Sequence, residues 1–189
     1  MAAPKTKPHL SAEDFLMRVR DSRDGFHAET VGDHTFNPEI TDMFMAIERK
    51  PAAVLIPIVR REPGATMLFT QRTDTLSSHP GQVAFPGGKI DDTDASAEAA
   101  ALREAEEEIG LSPDAVEMIG RAPDYLTGSG YHISPVLGVV PPDLSFRLNE
   151  EEVSDVFEVP LAFLMDPANH VVGSRVWQGV RRTYYEMPY

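Results

Sequence analysis

Hydrophobic residues change their spacing along this 189-residue chain, and the change divides it. In the first fifty residues they recur at helical intervals. Phe15, Leu16 and Val19 share one side of a segment from Ala12 to Arg20, with Ser11 placed to cap it. A polar, glycine-containing stretch follows. Pro38 to Glu48 then predicts a second helix that buries Ile40, Met43, Phe44 and Ile47. From Ala52 to Val59 the chain is apolar and β-branched, which predicts a buried strand. Glu62-Pro63-Gly64 reads as a turn, and Thr66 to Gln71 as the returning strand. Val83-Ala84-Phe85 is a short apolar run stopped by Pro86-Gly87-Gly88. A polar loop, Lys89 to Thr93, leads into a strong helix from Ala95 to Ile109. Asp94 is its candidate N-cap and Gly110 its candidate left-handed terminator. Further strands are predicted over Ala115 to Arg121, Ile133 to Val140 and Val171 to Val176, with a short helix from Leu161 to Met165 after Pro160. This alternation, with mixed strand spacing, predicts an α/β fold: an α/β/α sandwich around a mixed β-sheet.

Composition narrows the chemistry. Hydrophobic content of 42% with 25% charged residues is ordinary for a globular domain. No apolar run approaches the roughly 20 residues that span a bilayer, and Lys5 and Lys7 precede no apolar leader segment. The expected location is cytoplasmic, with no membrane partner. The chain has no cysteine, so any metal must be held by oxygen or imidazole. With 30 acidic residues, oxygen is the favoured donor, which points to Mg²⁺ or Mn²⁺. A net charge of −13 argues against nucleic acid as a partner but not against a small phosphorylated ligand.

The informative segment is Arg103-Glu104-Ala105-Glu106-Glu107-Glu108-Ile109-Gly110. At about 100° per residue, Glu104, Glu107 and Glu108 share one helical face, Glu106 points away, and Leu102, Ala105 and Ile109 form a packing face. Like charges four apart destabilise a helix, and anions are disfavoured at its C-terminal end. Two local rules are broken together, as expected where a cation restores the balance. An acidic solvated face is the plain alternative. The preceding Phe85-Pro86-Gly87-Gly88 shifts the balance, because two glycines allow close backbone approach and a free carbonyl there could complete a metal shell.

Gly88, the loop, and Arg103-Glu104-Ala105-x-Glu107-Glu108-x-Gly110-Leu111 resemble the Nudix box. The second half matches at every fixed position. The first half departs. Counted back from Arg103, the pattern's Gly falls on Lys89 and its first Glu on Ala95; counted from Gly88, that Glu falls on Asp94. The loop is thus one residue longer, and Asp94 and Glu98 are both candidate partners for Arg103. Leu68-Phe69-Thr70-Gln71-Arg72-Thr73, then Leu76, Gly81 and Val83 to Gly88, are similar to the signature that precedes the box in coenzyme A pyrophosphatases, a branch that shares the longer Asp-rich loop. Ser77 is a departure, since that branch commonly carries Arg nearby.

The resemblance implies a Nudix-like sandwich over residues 51–189, with 1–50 as a helical extension; the strand Arg181 to Tyr185 normally leads into a closing C-terminal helix, so either that helix is absent or the chain is shortened. It implies metal-dependent hydrolysis of coenzyme A to 3′,5′-ADP and 4′-phosphopantetheine. Glu104, Glu107 and Glu108 would be the catalytic residues and the metal ligands, Glu104 and Glu108 the firmest. The base would be one of these glutamates not fully occupied by metal, or the distal Glu151 or Glu152. Arg72, Gly87 and Gly88 are the substrate-binding residues, with Arg72 the first candidate for the coenzyme A 3′-phosphate. The expected partner is a small nucleotide, and a homodimer is left open. Hydrolysis of ADP-ribose or a nucleotide sugar, and a non-catalytic nucleotide sensor, are the alternatives. His79 and Gln82 are expected to serve locally, as a loop histidine and a strand-surface side chain. Tyr125, Tyr131 and His132 are expected in packing rather than in stacking on adenine, and Trp177, Tyr184 and Tyr185 in the core or an interface.

Overall fold

The computed structural model describes residues 9–21, 30–177 and 179–189. The polar stretch after the first helix and the side chain of Trp177 lie outside them. At the centre are two long parallel strands, β2 (Lys50–Val59) and β8 (Tyr131–Val140), paired over their whole length from Lys50↔Tyr131 to Val59↔Val140. The other edge of β2 is divided. Its last residues pair with β3 (Thr66–Arg72), and its first half pairs with β5 (Gly87–Lys89). Beyond this split, β3 pairs with β9 (Val153–Pro160) and β4 (Val83–Ala84). On the far side, β8 carries β6 (Glu117–Arg121) and β7 (Tyr125–Leu126), and the short β1 (Val31–Gly32) adds to β7. The result is a mixed nine-stranded sheet.

Strand alternation sends side chains to two faces. On one, Leu55, Val59, Leu68, Val136 and Val140 pack against α3 (Ala97–Ile109) through Ala100, Ala101, Ala105 and Ile109, all four fully buried. Three alanines let the helix lie close to the sheet. On the other, Ile58, Met67, Val139 and Val159 pack against α1 (Ala12–Asp21) and α4 (Leu161–Leu164). The expected sandwich around a mixed sheet is therefore observed.

Several boundaries move for local reasons. The N-cap of α3 is Ser96, whose hydroxyl accepts from Ala99 N–H at 3.2 Å. Asp94 is otherwise engaged: it accepts Asp91 N–H and the Arg103 guanidinium. Gly110 ends the helix as expected, at φ 70°. The second predicted helix is reduced to a 3₁₀ turn, Pro38–Ile40, and one short α-turn, α2 (Thr41–Met45). Ile40 and Phe44 are buried there, whereas Met43 is 50% exposed, because five helical residues present too short a face to bury all four apolar side chains. The strand β9 and the pairing of β5 were not anticipated. The polar outer face of β9 masks its period, and Gly87-Gly88 carries a signal for close backbone approach but none for strand pairing. Tyr184 and Tyr185 are surface residues, 38% and 49% exposed, on a separate hairpin of β10 (Val171–Trp177) and β11 (Val180–Glu186). No described helix is long and apolar enough to cross a membrane.

Leu68 has no exposed surface, so Leu68→Ala should destabilise the protein by about 2–5 kcal/mol, while Met43→Ala should change stability by under about 0.5 kcal/mol. Denaturant titration of the two variants checks this; comparable losses would mean that the core is assigned wrongly.

Candidate active site

The carboxylate face of α3 lies under the split edge of β2. Gly87 and Gly88 occupy the space between, paired in β5 with Val54 and Ala53. A side chain at Gly88 would have its Cβ 2.5 Å from the Glu104 carboxylate, and one at Gly87 would collide with the backbone of β2. Gly87 is thus required by close approach to the β2 backbone, whereas a side chain at Gly88 would displace the Glu104 carboxylate. Gly87 N–H donates to Glu108 Oε2 at 3.1 Å, so the strand fixes one carboxylate directly.

Glu108 is buried, with 3% of its surface exposed. Burial pushes its pKa up to about 7, helped by the nearby Glu104 and Glu152 carboxylates and opposed by Gly87 N–H and Arg72. The Arg72 guanidinium is 3.9 Å away, a weak pairing for so enclosed an acid. Glu104 is also pushed up, first by burial and then by Glu107 and Glu152, against the pull of Arg103. Arg103 is the main cation of the site. Its Nη1 donates to Glu104 Oε1 and to Glu107 Oε2, both at 3.0 Å. Its Nε and Nη2 meet Asp94 at 3.0 and 2.9 Å, and that pairing holds the Asp94 carboxyl below its ordinary pKa. Of the two candidate partners for Arg103, the structure selects Asp94.

The helix end also positions the next acid. Asn149 N–H donates to Glu108 O and Arg147 N–H to Ile109 O, which satisfies carbonyls left open at the C-terminus of α3. From this anchored segment Glu152 follows, with its N–H on Asn149 O and its own carbonyl accepting Thr73 N–H. Its carboxylate acts on both Glu104 and Glu108. Glu151 is exposed and contributes its carbonyl to the Thr73 hydroxyl. Between these adjacent glutamates, the structure turns Glu152 to the site.

Among the described residues, no three carboxylates or imidazoles converge as a preformed ion cage. The reason is visible: the Arg103 guanidinium lies between Glu104 and Glu107, and Glu107 is turned outward, its side chain 59% exposed. The donor set nevertheless suits a hard divalent ion. It consists of oxygen donors only, it includes a buried acid raised by enclosure and like charge, and the glycine at position 88 leaves the Glu104 carboxylate room that a Cβ would fill. Glu104, Glu108 and Glu107 are the residues that would hold it.

Outside this centre, His79 is exposed and hydrogen-bonded to Gln82 at 2.9 Å. Gln82 precedes β4 rather than lying on its surface, and both side chains line a cleft beside the hairpin. Tyr125 donates its hydroxyl to Asp33, and His132 pairs with Asp124; both are structural contacts.

A NUDIX domain model matches residues 49–177, and the chain belongs to the Nudix family. It is 51% identical over 154 residues to the Nudix hydrolase NudL of Escherichia coli K12, covering 81% of this chain and 71% of that protein. The NudL of Shigella boydii serotype 4 is 50% identical over the same length and coverage. Among solved structures, the Nudix hydrolase RenU of M. smegmatis matches with a TM-score of 0.51 at 24% identity, over 60% of this chain and 71% of that one, which supports the fold. The class is thus a Nudix hydrolase of small nucleotide derivatives, a class that generally uses divalent metals.

The burial of Glu108 has a consequence for the metal-free protein. An acid whose pKa is raised on folding costs nothing below its unfolded value near 4.5, and its cost grows as pH rises to about 7. The full penalty is roughly 3 kcal/mol. Glu108→Gln should therefore raise the melting temperature at pH 8 and change it little at pH 4.5. An equal effect at both values would show that Glu108 ionises normally in the folded protein.

Proposed function

We propose that this protein hydrolyses the diphosphate of coenzyme A, releasing 3′,5′-ADP and 4′-phosphopantetheine, with Mg²⁺ or Mn²⁺ as cofactor. The observation that carries a hydrolytic role is the enclosed set of Glu104, Glu108 and Glu152 beside Arg72 and the Gly87-Gly88 backbone. The coenzyme A assignment rests on the similarity of residues 68–88 to the signature of that branch. We assign residues 51–189 to the hydrolase and 1–50 to an extension built onto it. The burial of Ala12 and Leu16 in the core with Ile58 and Val139, and the β1–β7 pairing, support its attachment to that body.

Glu104, Glu108 and Glu107 would hold a divalent ion, which would supply neutralisation of the diphosphate and activation of water. Arg72 lies beside Glu108, within reach of a diphosphate at that centre, which favours it as a contact for the bridging phosphates rather than for a remote phosphate. Glu152 accepts the proton of the attacking water, because it faces Glu104 and Glu108 without belonging to their helix. Arg103 keeps Glu104 and Glu107 oriented through its grip on Asp94. Gly87 and Gly88 let the substrate and the carboxylates meet at the backbone. A sensor has no need of this carboxylate set, which disfavours a purely binding role.

Glu104→Gln and Glu108→Gln should each lower kcat by at least about a hundredfold while the protein stays folded. Turnover near the unsubstituted rate at saturating metal would remove that residue from the centre. The rate should also climb with pH through neutrality into the alkaline range, since Glu108, raised to about 7, must be ionised to hold a cation and the attacking water must lose a proton. A maximum below about pH 6 would contradict water activation. A substrate panel of coenzyme A, ADP-ribose and nucleotide sugars, with products separated by mass, decides the assignment: a preference for ADP-ribose would overturn it and leave the hydrolase standing.

A further inference from the structure

The hairpin of β10 and β11 is attached to the body of the protein by one edge. The buried Asn37 takes both backbone groups of Thr183, accepting its N–H at 2.6 Å and donating to its carbonyl at 3.1 Å. The backbone groups of Thr183 therefore point away from β10. Ser174 stands directly opposite Thr183, so its own groups point away from β11. Val172 and Val176, two positions to either side, share that orientation. Among the described residues, no strand pairs with this outer edge of β10.

Exposed strand edges are commonly guarded by Lys, Pro or a bulge. This one has none of the three. The strand reads Val171-Val172-Gly173-Ser174-Arg175-Val176-Trp177 and pairs with β11 without a register shift. Val172 and Val176 are 64% and 63% exposed. A two-stranded hairpin is marginal in water by itself, and further strands relieve that.

The edge is complementary to itself. A two-fold axis at Ser174 sets two copies of β10 antiparallel over their whole length. Val172 then faces the partner's Val176, an apolar pair made twice. Gly173 faces the partner's Arg175, at a rung where opposed side chains come closest. The chain's own acid lies at that rung. A Cβ at Gly173 would be 2.7 Å from the Glu186 carboxylate and 3.1 Å from the Tyr184 ring, and Glu186 accepts the Tyr184 hydroxyl. The partner's Arg175 is thus delivered beside Glu186. An axis at Arg175 would set two arginines face to face, and one at Gly173 would bring two Glu186 carboxylates together. Of these three central axes, the one at Ser174 alone joins opposite charges, and such pairs fix register.

We propose that the outer edge of β10 is a homodimer interface, in which a second copy of the chain pairs antiparallel about Ser174 to make a four-stranded sheet. Asn37 closes the β11 edge at each end, so the assembly stops at two copies, with the two bodies at opposite ends of the shared sheet. One strand edge buries less than a standard interface, so the dimer dissociates on dilution.

Sedimentation velocity of the full chain, at protein concentrations rising to about 100 μM, tests this. The unsubstituted protein should pass from monomer to dimer. Ser174→Pro removes an outward N–H that the hairpin does not use, and should leave a monomer. Arg175→Glu and Glu186→Arg should each weaken the dimer by at least about tenfold, and the Arg175→Glu/Glu186→Arg double variant should recover most of the loss. Circular dichroism monitors the fold of each variant, and the charge exchange decides by itself should Ser174→Pro not fold. A monomer at every concentration, or a series of species larger than the dimer, would overturn the proposal. So would a dimer that survives a folded Ser174→Pro, or one indifferent to the exchange of charges.

Discussion

Glu108 is a carboxylic acid with almost no access to water, surrounded by other acids, and much of the structure near it can be understood as what holds it there. Its pKa is pushed up to about 7, chiefly by burial. Isolated, such a group would favour turning outward. It is kept in place by Gly87 N–H, by the packing of Ala105 and Ile109 three and one positions away on the sheet side of α3, and by a helix end stitched to residues 147–149. The available cations are set at different ranges. Arg103 makes direct contacts to Glu104 and Glu107, whereas Arg72 stops 3.9 Å from Glu108. Charge at the buried acid is therefore left incompletely compensated, the condition under which a hard cation binds with most effect.

The sheet provides the rigid half of this arrangement. Because β2 gives one edge wholly to β8 and divides the other between β3 and β5, the chain can bring Gly87-Gly88 against the helix without breaking the central pairing. The same division lets β3 diverge towards β9 and deliver Arg72 at its end. The groups proposed for catalysis thus come from elements that are each anchored elsewhere: α3 by its alanine face, β5 by β2, and Glu152 by the helix terminus through Asn149.

How much of this was legible in the sequence depended on how local each determinant is. The helix bearing Glu104, Glu107 and Glu108, its packing face and its Gly110 terminator followed from periodicity, because a helix is specified by neighbours within a turn or two. The alternating core strands β2 and β8 were equally plain. The partner of Arg103 was not, because Asp94 and Glu98 both lie within reach along the chain, and only the path of the loop decides between them. Glu151 and Glu152 were indistinguishable for the same reason. The placement of β11 against the body had no local signal at all: Asn37 holds its backbone at Thr183 from 146 residues away. Gly87-Gly88 was legible as a place of close backbone approach, but its pairing as a strand emerged only with β2 in place.

The central claim is that the carboxylate face of α3 is a divalent-ion centre rather than a solvated acidic surface. The most direct measurement is a Mn²⁺ titration followed by electron paramagnetic resonance at pH 8, with the unsubstituted protein and the Glu104→Gln/Glu108→Gln double variant compared at equal concentration. The account predicts that the unsubstituted protein removes Mn²⁺ from the free-ion signal in a saturable manner and that the folded double variant does not. Equal Mn²⁺ uptake by the two proteins, or none by either, would contradict it.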